Sequence, residues 1–169
     1  MPLTSRITPY DPNWPGLFEM ERARIGPAFG QDLVAIFHVG STAVQDLAAK
    51  SEIDLLVEVA THDDTASVQL AMLDLGYVRG KDLFEDHHFY RRNVETRRTH
   101  KVHVCKSGHP QIARMLAFRD LLRADPATRR RYQQLKLRLE RENTGGIAEY
   151  LAGKAPFIDA VLKQALPPA

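Results

Sequence analysis

Cysteine is almost missing: Cys105 stands alone among 169 residues. No disulfide can form within the chain, and the composition fits a reducing compartment. Long apolar runs are missing as well. No stretch reaches the roughly 20 residues that a membrane-spanning helix needs, and the opening MPLTSRITPYDPNWP has no apolar segment of the secretory kind. A cytoplasmic protein with no membrane partner is therefore expected. Internal repeats, linkers and low-complexity tracts are absent, so residues 1–169 read as one domain. His87 and His88 lack the cysteine or carboxylate spacing of a zinc site. Arg129, Arg130 and Arg131 are adjacent on a helical stretch and point three ways, which disfavours a stripe for nucleic acid.

Net charge is small too, at +2, but it is unevenly spread. Residues 1–90 hold 6 basic and 14 acidic residues, whereas residues 91–141 hold 15 basic and 4 acidic ones. An acidic half facing a basic half suits a ligand that carries phosphates and cations together; a solvated basic helix surface is the plainer alternative.

The most informative stretch is LVAIFHVGSTAVQDLAAKSEIDLLVEV, from Leu33 to Val59. Leu33–Val39 is an apolar, β-branched run ended by Gly40, and reads as a buried strand. Gly40 lets backbone approach a ligand closely, and Ser41 and Thr42 bring hydroxyls and N–H groups to the start of a short helix. The second strand carries Glu52, Asp54, Leu56 and Glu58 on one face and Ile53, Leu55, Val57 and Val59 on the other. Two carboxylates at i and i+2, beside a phosphate-sized turn, suit Mg²⁺ or Mn²⁺ bound with a polyphosphate. A carboxylate inside IDLLV is costly to bury without a partner, so Asp54 is a functional candidate; Glu52 is either a second ligand or a solvated strand-start residue.

Around this unit the chain alternates. Asn13 with Pro15 predicts a helix to about Phe29, with Leu17, Phe18, Ile25 and Phe29 inward. Asp63 or Asp64 caps a helix to Leu75, with Val68, Met72 and Leu75 as its apolar stripe. Tyr77-Val78, Phe84 and His88–Val94 read as short strands, and THKVHVC, Thr99–Cys105, as a firmer one. From Pro110 only helical patterns follow, over Pro110–Ala124, Pro126–Glu142 and Ile147–Leu166. The order is a helix, a mixed α/β sheet and a C-terminal helical bundle, with residues 1–108 as the α/β core and 109–169 as the helical part.

Tyr132 and Lys136 lie four apart on one of these helices, as do Tyr150 and Lys154 on another. Either the lysines face a cleft, where with Arg119 they would neutralise a triphosphate, or the tyrosines pack and the lysines snorkel outward. Lys50, just before the acidic strand, is a further phosphate candidate. Cys105 shares a strand face with His103, but no orienting acid or oxyanion turn accompanies the pair.

HVGSTAV followed by LAAKSEIDLLVEV resembles the GrpB-like family of the nucleotidyltransferase superfamily, which includes polymerase β. YDPNWPGLFEMER, THKVHVC, LAFRDLLRADP, YQQLK and YLAGKAPFIDAVL extend the resemblance over nearly the whole chain. It implies an α+β fold, with a nucleotidyltransferase-like mixed sheet flanked by helices and a C-terminal bundle. It further implies a metal-dependent protein that binds a nucleoside triphosphate and passes a nucleotidyl group to a small acceptor; the alternative is a catalytically inactive nucleotide-binding or regulatory module. Gly40, Ser41, Thr42, Lys50, Lys101, Arg119, Lys136 and Lys154 are the implied phosphate contacts, with Glu52 and Asp54 the metal ligands. The chain departs from the family where Gln45-Asp46 replaces the usual Pro-Gly and where Glu52 replaces an apolar residue. The third carboxylate of active superfamily members has no counterpart here. The matching strand offers Lys101 and His103, and His103 is a general base, a ligand for Mn²⁺, or a histidine hydrogen-bonded within the sheet. Nucleotide base, acceptor and oligomeric state are not encoded in any recognisable pattern.

Overall fold

The computed structural model describes residues 3, 5–63 and 66–168. Its elements, in chain order, are β1 (Ile7–Thr8), α1 (Trp14–Phe29), β2 (Leu33–Val39), β3 (Ala49–Lys50), β4 (Ile53–Val59), α2 (Ala66–Asp74), β5 (Val78–Arg79), β6 (His87–Val94), β7 (Arg97–Lys106), α3 (Pro110–Ala124), α4 (Pro126–Glu142) and α5 (Ile147–Ala165). Five strands form one sheet in the order β2-β4-β7-β6-β5, and β1 pairs with β3 in a separate ribbon. Within the sheet only β4 and β7 run parallel. That pairing sets Asp54 beside Lys101.

Alternation along β4 and β7 gives the sheet two apolar faces. Ile53, Leu55, Val57, Val59, Val102 and Val104 face α1 and α2, where Trp14, Phe18, Ile25, Phe29 and Met72 meet them. Val39, Leu56 and Cys105 face α3 through Ile112, Met115 and Leu116. A strand covered on both sides has to be apolar on both, which is why β4 reads as a near-continuous hydrophobic run. Its polar residues lie near its two ends. A third cluster joins Val44 and Leu47, in the loop after β2, to Leu122, Tyr132, Phe118, Leu135, Phe157 and Ile158 of the helical bundle. The Gly40–Lys50 loop is thereby clamped between sheet and bundle.

Several expectations from the sequence need correction. Trp14 is buried on α1 and Leu17 is exposed, because the inward positions run 14, 18, 21, 25 and 29. Glu21 occupies the middle of that stripe. Its carboxylate accepts from Tyr77 Oη at 2.8 Å and pairs with Arg24 at 2.7 Å, which satisfies the charge that burial would otherwise penalise. Asn13 makes no side-chain cap; its own N–H donates to the Asp11 carboxylate. The helix expected after Gly40 is a single 3-10 turn, Ser41–Ala43. The cap expected for α2 at Asp63 or Asp64 falls against residues 64 and 65, which lie outside the described residues. In the bundle Asp125 does cap α4, accepting from Ala127 N and Thr128 N. No helix among the described residues is long and apolar enough to cross a membrane.

Leu47 is fully buried where loop and bundle meet. Leu47→Ala should cost about 2–5 kcal/mol of stability, the usual range for a buried leucine truncated to alanine. Urea unfolding of the purified variant measures this; an unchanged midpoint would show that the loop does not depend on that cluster.

Candidate functional site

The site begins at the N-terminal end of β4. Lys101 Nζ lies 3.1 Å from Glu52 Oε2 and 3.3 Å from Asp54 Oδ1, so one ammonium bridges both carboxylates. The other two carboxylate oxygens lie toward Ser5 and Gly40. Ser5 Oγ donates to Glu52 Oε1 at 2.7 Å. Asp54 Oδ2 lies over Gly40, where a Cβ would sit only 2.2 Å from it in a backbone at φ +73°. Glycine is required at position 40 on both counts. Burial works against the charged forms here. For Lys101 the attraction of Asp54 and Glu52 prevails, and its pKa stands above the ordinary lysine value. Burial holds Asp54 above the usual carboxylate pKa despite Lys101, whereas Lys101 and Ser5 bring Glu52 below it.

The Gly40 turn is held from behind. Thr42 Oγ1 donates to Glu52 O at 3.3 Å and meets His38 Nε2 at 3.0 Å. The hydroxyl's one proton goes to the carbonyl, so His38 donates from Nε2 and accepts nothing there. Burial and the nearby arginines lower the His38 pKa to about 4, and its ring stacks on Phe18. Thr42 is thus spent on joining the turn to the strand, and its hydroxyl faces inward, away from the role expected for it at a phosphate. Arg119 donates to His38 O at 3.0 Å and pairs with Asp120, and Arg123 donates to Ala43 O. Arg119 buttresses the turn.

The lysines of the helical part converge on the opposite side. Lys136 Nζ donates to Ser41 Oγ at 3.0 Å and to Ala48 O at 2.5 Å. It is 2% exposed, so the inward reading of the Tyr-x-x-x-Lys pairs holds on α4. On α5 both Lys154 and Lys50 lie over the Tyr150 ring, at 4.7 and 4.4 Å from its centroid. Gly153 lets α5 pack closely on α4, since a Cβ there would come within 2.5 Å of the Leu139 side chain. Burial and the neighbouring ammonium groups lower Lys136 to about 7 and Lys154 to about 8. Lys50 is lowered as well, by burial and then by Lys101. Four lysines therefore share a space with two carboxylates, Glu140 being a further acid near Lys50 and Lys136. Burial and this crowding of like charge favour the neutral forms of Lys136 and Lys154. Arg98 adds to the same field, with Glu52 and Asp54 acting on it. The sequence reading did not include Arg98, Glu140 or Tyr150 in the site. Only the i, i+4 spacing of Tyr150 and Lys154 signalled one of them.

His103 stands two residues further along β7 than Lys101. Its Nδ1 is 2.9 Å from His87 Nε2, and Phe89 flanks its ring. Burial and the neighbouring His87 lower its pKa to about 3, so it is neutral. Cys105 is fully buried against Val39 and Leu56, and burial raises its thiol to about 12, which excludes a thiolate nucleophile. Among the described residues no three or more His, Cys, Asp or Glu side chains are grouped to hold a metal ion. Glu52 and Asp54 could offer two ligands, but their facing oxygens already hold an ammonium. A concavity of about 680 Å³ lies beyond the other end of β7, lined in part by Phe84, Asp86, Lys106 and His109, and shares none of the site's lysines.

A sheet with acids at one end of a central strand and a helical bundle across the cleft defines a nucleotidyltransferase-like fold. Cid1 poly(U) polymerase with Mg 3′-dATP bound superimposes with a TM-score of 0.57 at 12% identity, over 87% of this chain and 49% of that one. The chain belongs to the GrpB family: the sequence matches the family described as GrpB protein over residues 4–164. The crystal structure of conserved protein GrpB from Enterococcus faecalis shares 33% identity and a TM-score of 0.87, covering 95% of this chain and 96% of that one. UPF0157 protein YqkA of Bacillus subtilis is 34% identical over 150 residues, 88% of this chain; the chain spans 43% of YqkA's length.

The crowded lysines give a pH test. An unfolded lysine keeps its proton to about 10.4, whereas folded Lys136 releases it near 7. Between those values the unfolded chain binds more protons, so this group makes stability rise with pH from about 7 towards 10. Lys136→Met removes that contribution. Relative to wild type, the variant should be most favoured at pH 6.5 and lose the advantage by pH 9.5, read from thermal midpoints. A difference that does not change with pH would contradict the assignment.

Proposed function

We propose that this protein binds the polyphosphate of a nucleoside triphosphate in the cleft between the N-terminal end of β4 and helices α4 and α5, as a nucleotide-binding module on a nucleotidyltransferase-like fold. The observation that carries this reading is the convergence of Lys50, Lys136 and Lys154, each with its charge held down by burial and by its neighbours. A triphosphate supplies the negative charge that offsets this repulsion, and ammonium groups bind it as point charges. Ser41, already in contact with Lys136, lies at the same wall. Cid1, whose fold is similar, is a polymerase with a nucleotide bound, which supports a nucleotide as the ligand class.

A second reading has one observation in its favour: Glu52 and Asp54 project from a strand end beside Gly40. In that reading the protein transfers a nucleotidyl group to a small hydroxyl- or amine-bearing acceptor and releases pyrophosphate, with Mg²⁺ or Mn²⁺ at the two acids. It requires Lys101 to leave both carboxylates. The binding-module reading requires no such rearrangement and accounts for the lysines as they stand.

Calorimetry with ATP and UTP, followed by a pyrophosphate-release assay, separates the two. Wild type should bind triphosphate, and Lys154→Met should weaken binding tenfold or more, about 1.4 kcal/mol, with no pyrophosphate released in either case. Failure to bind any triphosphate would overturn the proposal. Mg²⁺-dependent release of pyrophosphate would establish the second reading instead.

A further inference from the structure

We infer that Lys101 is a built-in counter-cation, standing between Glu52 and Asp54 where a divalent ion would otherwise bind, and that the cleft takes up phosphates without metal.

Lys101 is delivered by backbone pairing. The parallel ladder sets it beside Asp54, so its stem leaves the sheet on the same face as the carboxylate. Its ammonium reaches one oxygen of each acid at 3.1 and 3.3 Å. The other oxygen of Glu52 accepts from Ser5, and the other oxygen of Asp54 fills the space that a Cβ at position 40 would need. A divalent ion seated between the two acids would compete with Lys101 for the same two oxygens. It would also add to the positive charge of Lys50 and Lys154, which both lie over the Tyr150 ring and on which Glu52 acts. Carboxylate ligands bind Mg²⁺ at about 2.0–2.1 Å, and an ammonium hydrogen-bonded to the same oxygens lies well inside the range of strong repulsion. No third acid adds to the pair: the described residues contain no group of three or more His, Cys, Asp or Glu placed for a metal. In this chain positive charge comes from lysines on three sides, and the two carboxylates anchor one of them. The acids then position Lys101 and bind no metal.

The phosphate part of this inference rests on the reading above; the Lys101 part stands without it. Mn²⁺ titration followed by electron paramagnetic resonance tests the second part on the protein alone. Wild type should leave Mn²⁺ free up to millimolar concentration. Lys101→Met leaves both carboxylates without their cation, and should bind one Mn²⁺ at least tenfold more tightly, with a thermal midpoint that rises on adding Mn²⁺. One tight Mn²⁺ site in wild type, or no gain in Lys101→Met, overturns the counter-cation assignment. Should Lys101→Met fail to fold, the wild-type titration and Lys101→Arg, which keeps the charge and should also leave Mn²⁺ free, decide the question. A separate arm uses pyrophosphate in the presence of EDTA. A rise in the wild-type thermal midpoint supports metal-free uptake; no rise overturns metal-free uptake, the triphosphate calorimetry above decides the nucleotide reading separately, and the Mn²⁺ result still decides the role of Lys101.

Discussion

One ammonium held between two carboxylates organises the cleft. Asp54 and Lys101 come from two parallel strands, with Glu52 one residue before β4; the apolar residues of these strands pack on both faces of the sheet, which ties the trio to the core. An ion pair this close to the interior is poor evidence of stability, because desolvation offsets most of the attraction. Its effect is geometric. The Asp54 carboxylate it holds stands where a Cβ at position 40 would be, and Gly40 begins the turn that carries Ser41 to Lys136.

From that trio outward, each layer of contacts holds the next. Thr42 and His38 pin the turn to the strand, and Arg119 and Arg123 pin it to α3. Val44 and Leu47 bury the loop in the bundle. The bundle returns Lys136 and Lys154 to the cleft, each ammonium over the ring of the tyrosine four residues earlier. The result is a space enriched in positive charge beside packed apolar clusters.

Much of the fold was legible in the sequence. The bounds of α3 and α4 follow from Pro110 and Pro126 at helix starts, and β2 and β4 from β-branched runs ended by Gly40 and by polar residues. Membership of the GrpB family was legible from motifs spread along nearly the whole chain. The electrostatics were less so. Two carboxylates at i and i+2 suggest a metal site until Lys101 is brought beside them, and that depends on the β4–β7 register, which no local pattern encodes. The Tyr-Lys spacings showed that each pair shares a face but not which face points inward. The burial of Glu21 has no local signal, because its partners Tyr77, just before β5, and Arg92 of β6 are distant in sequence. Thr42 and Arg119 have side chains suited to phosphate, and the structure turns both to the support of the backbone.

The most direct test is a crystal structure of the wild-type protein soaked with a nucleoside triphosphate in the presence of EDTA. The account expects the phosphates against Lys50, Lys136 and Lys154, with Lys101 still bridging Glu52 and Asp54. Phosphates seated elsewhere, or Lys101 drawn off the acids to meet them, would contradict it.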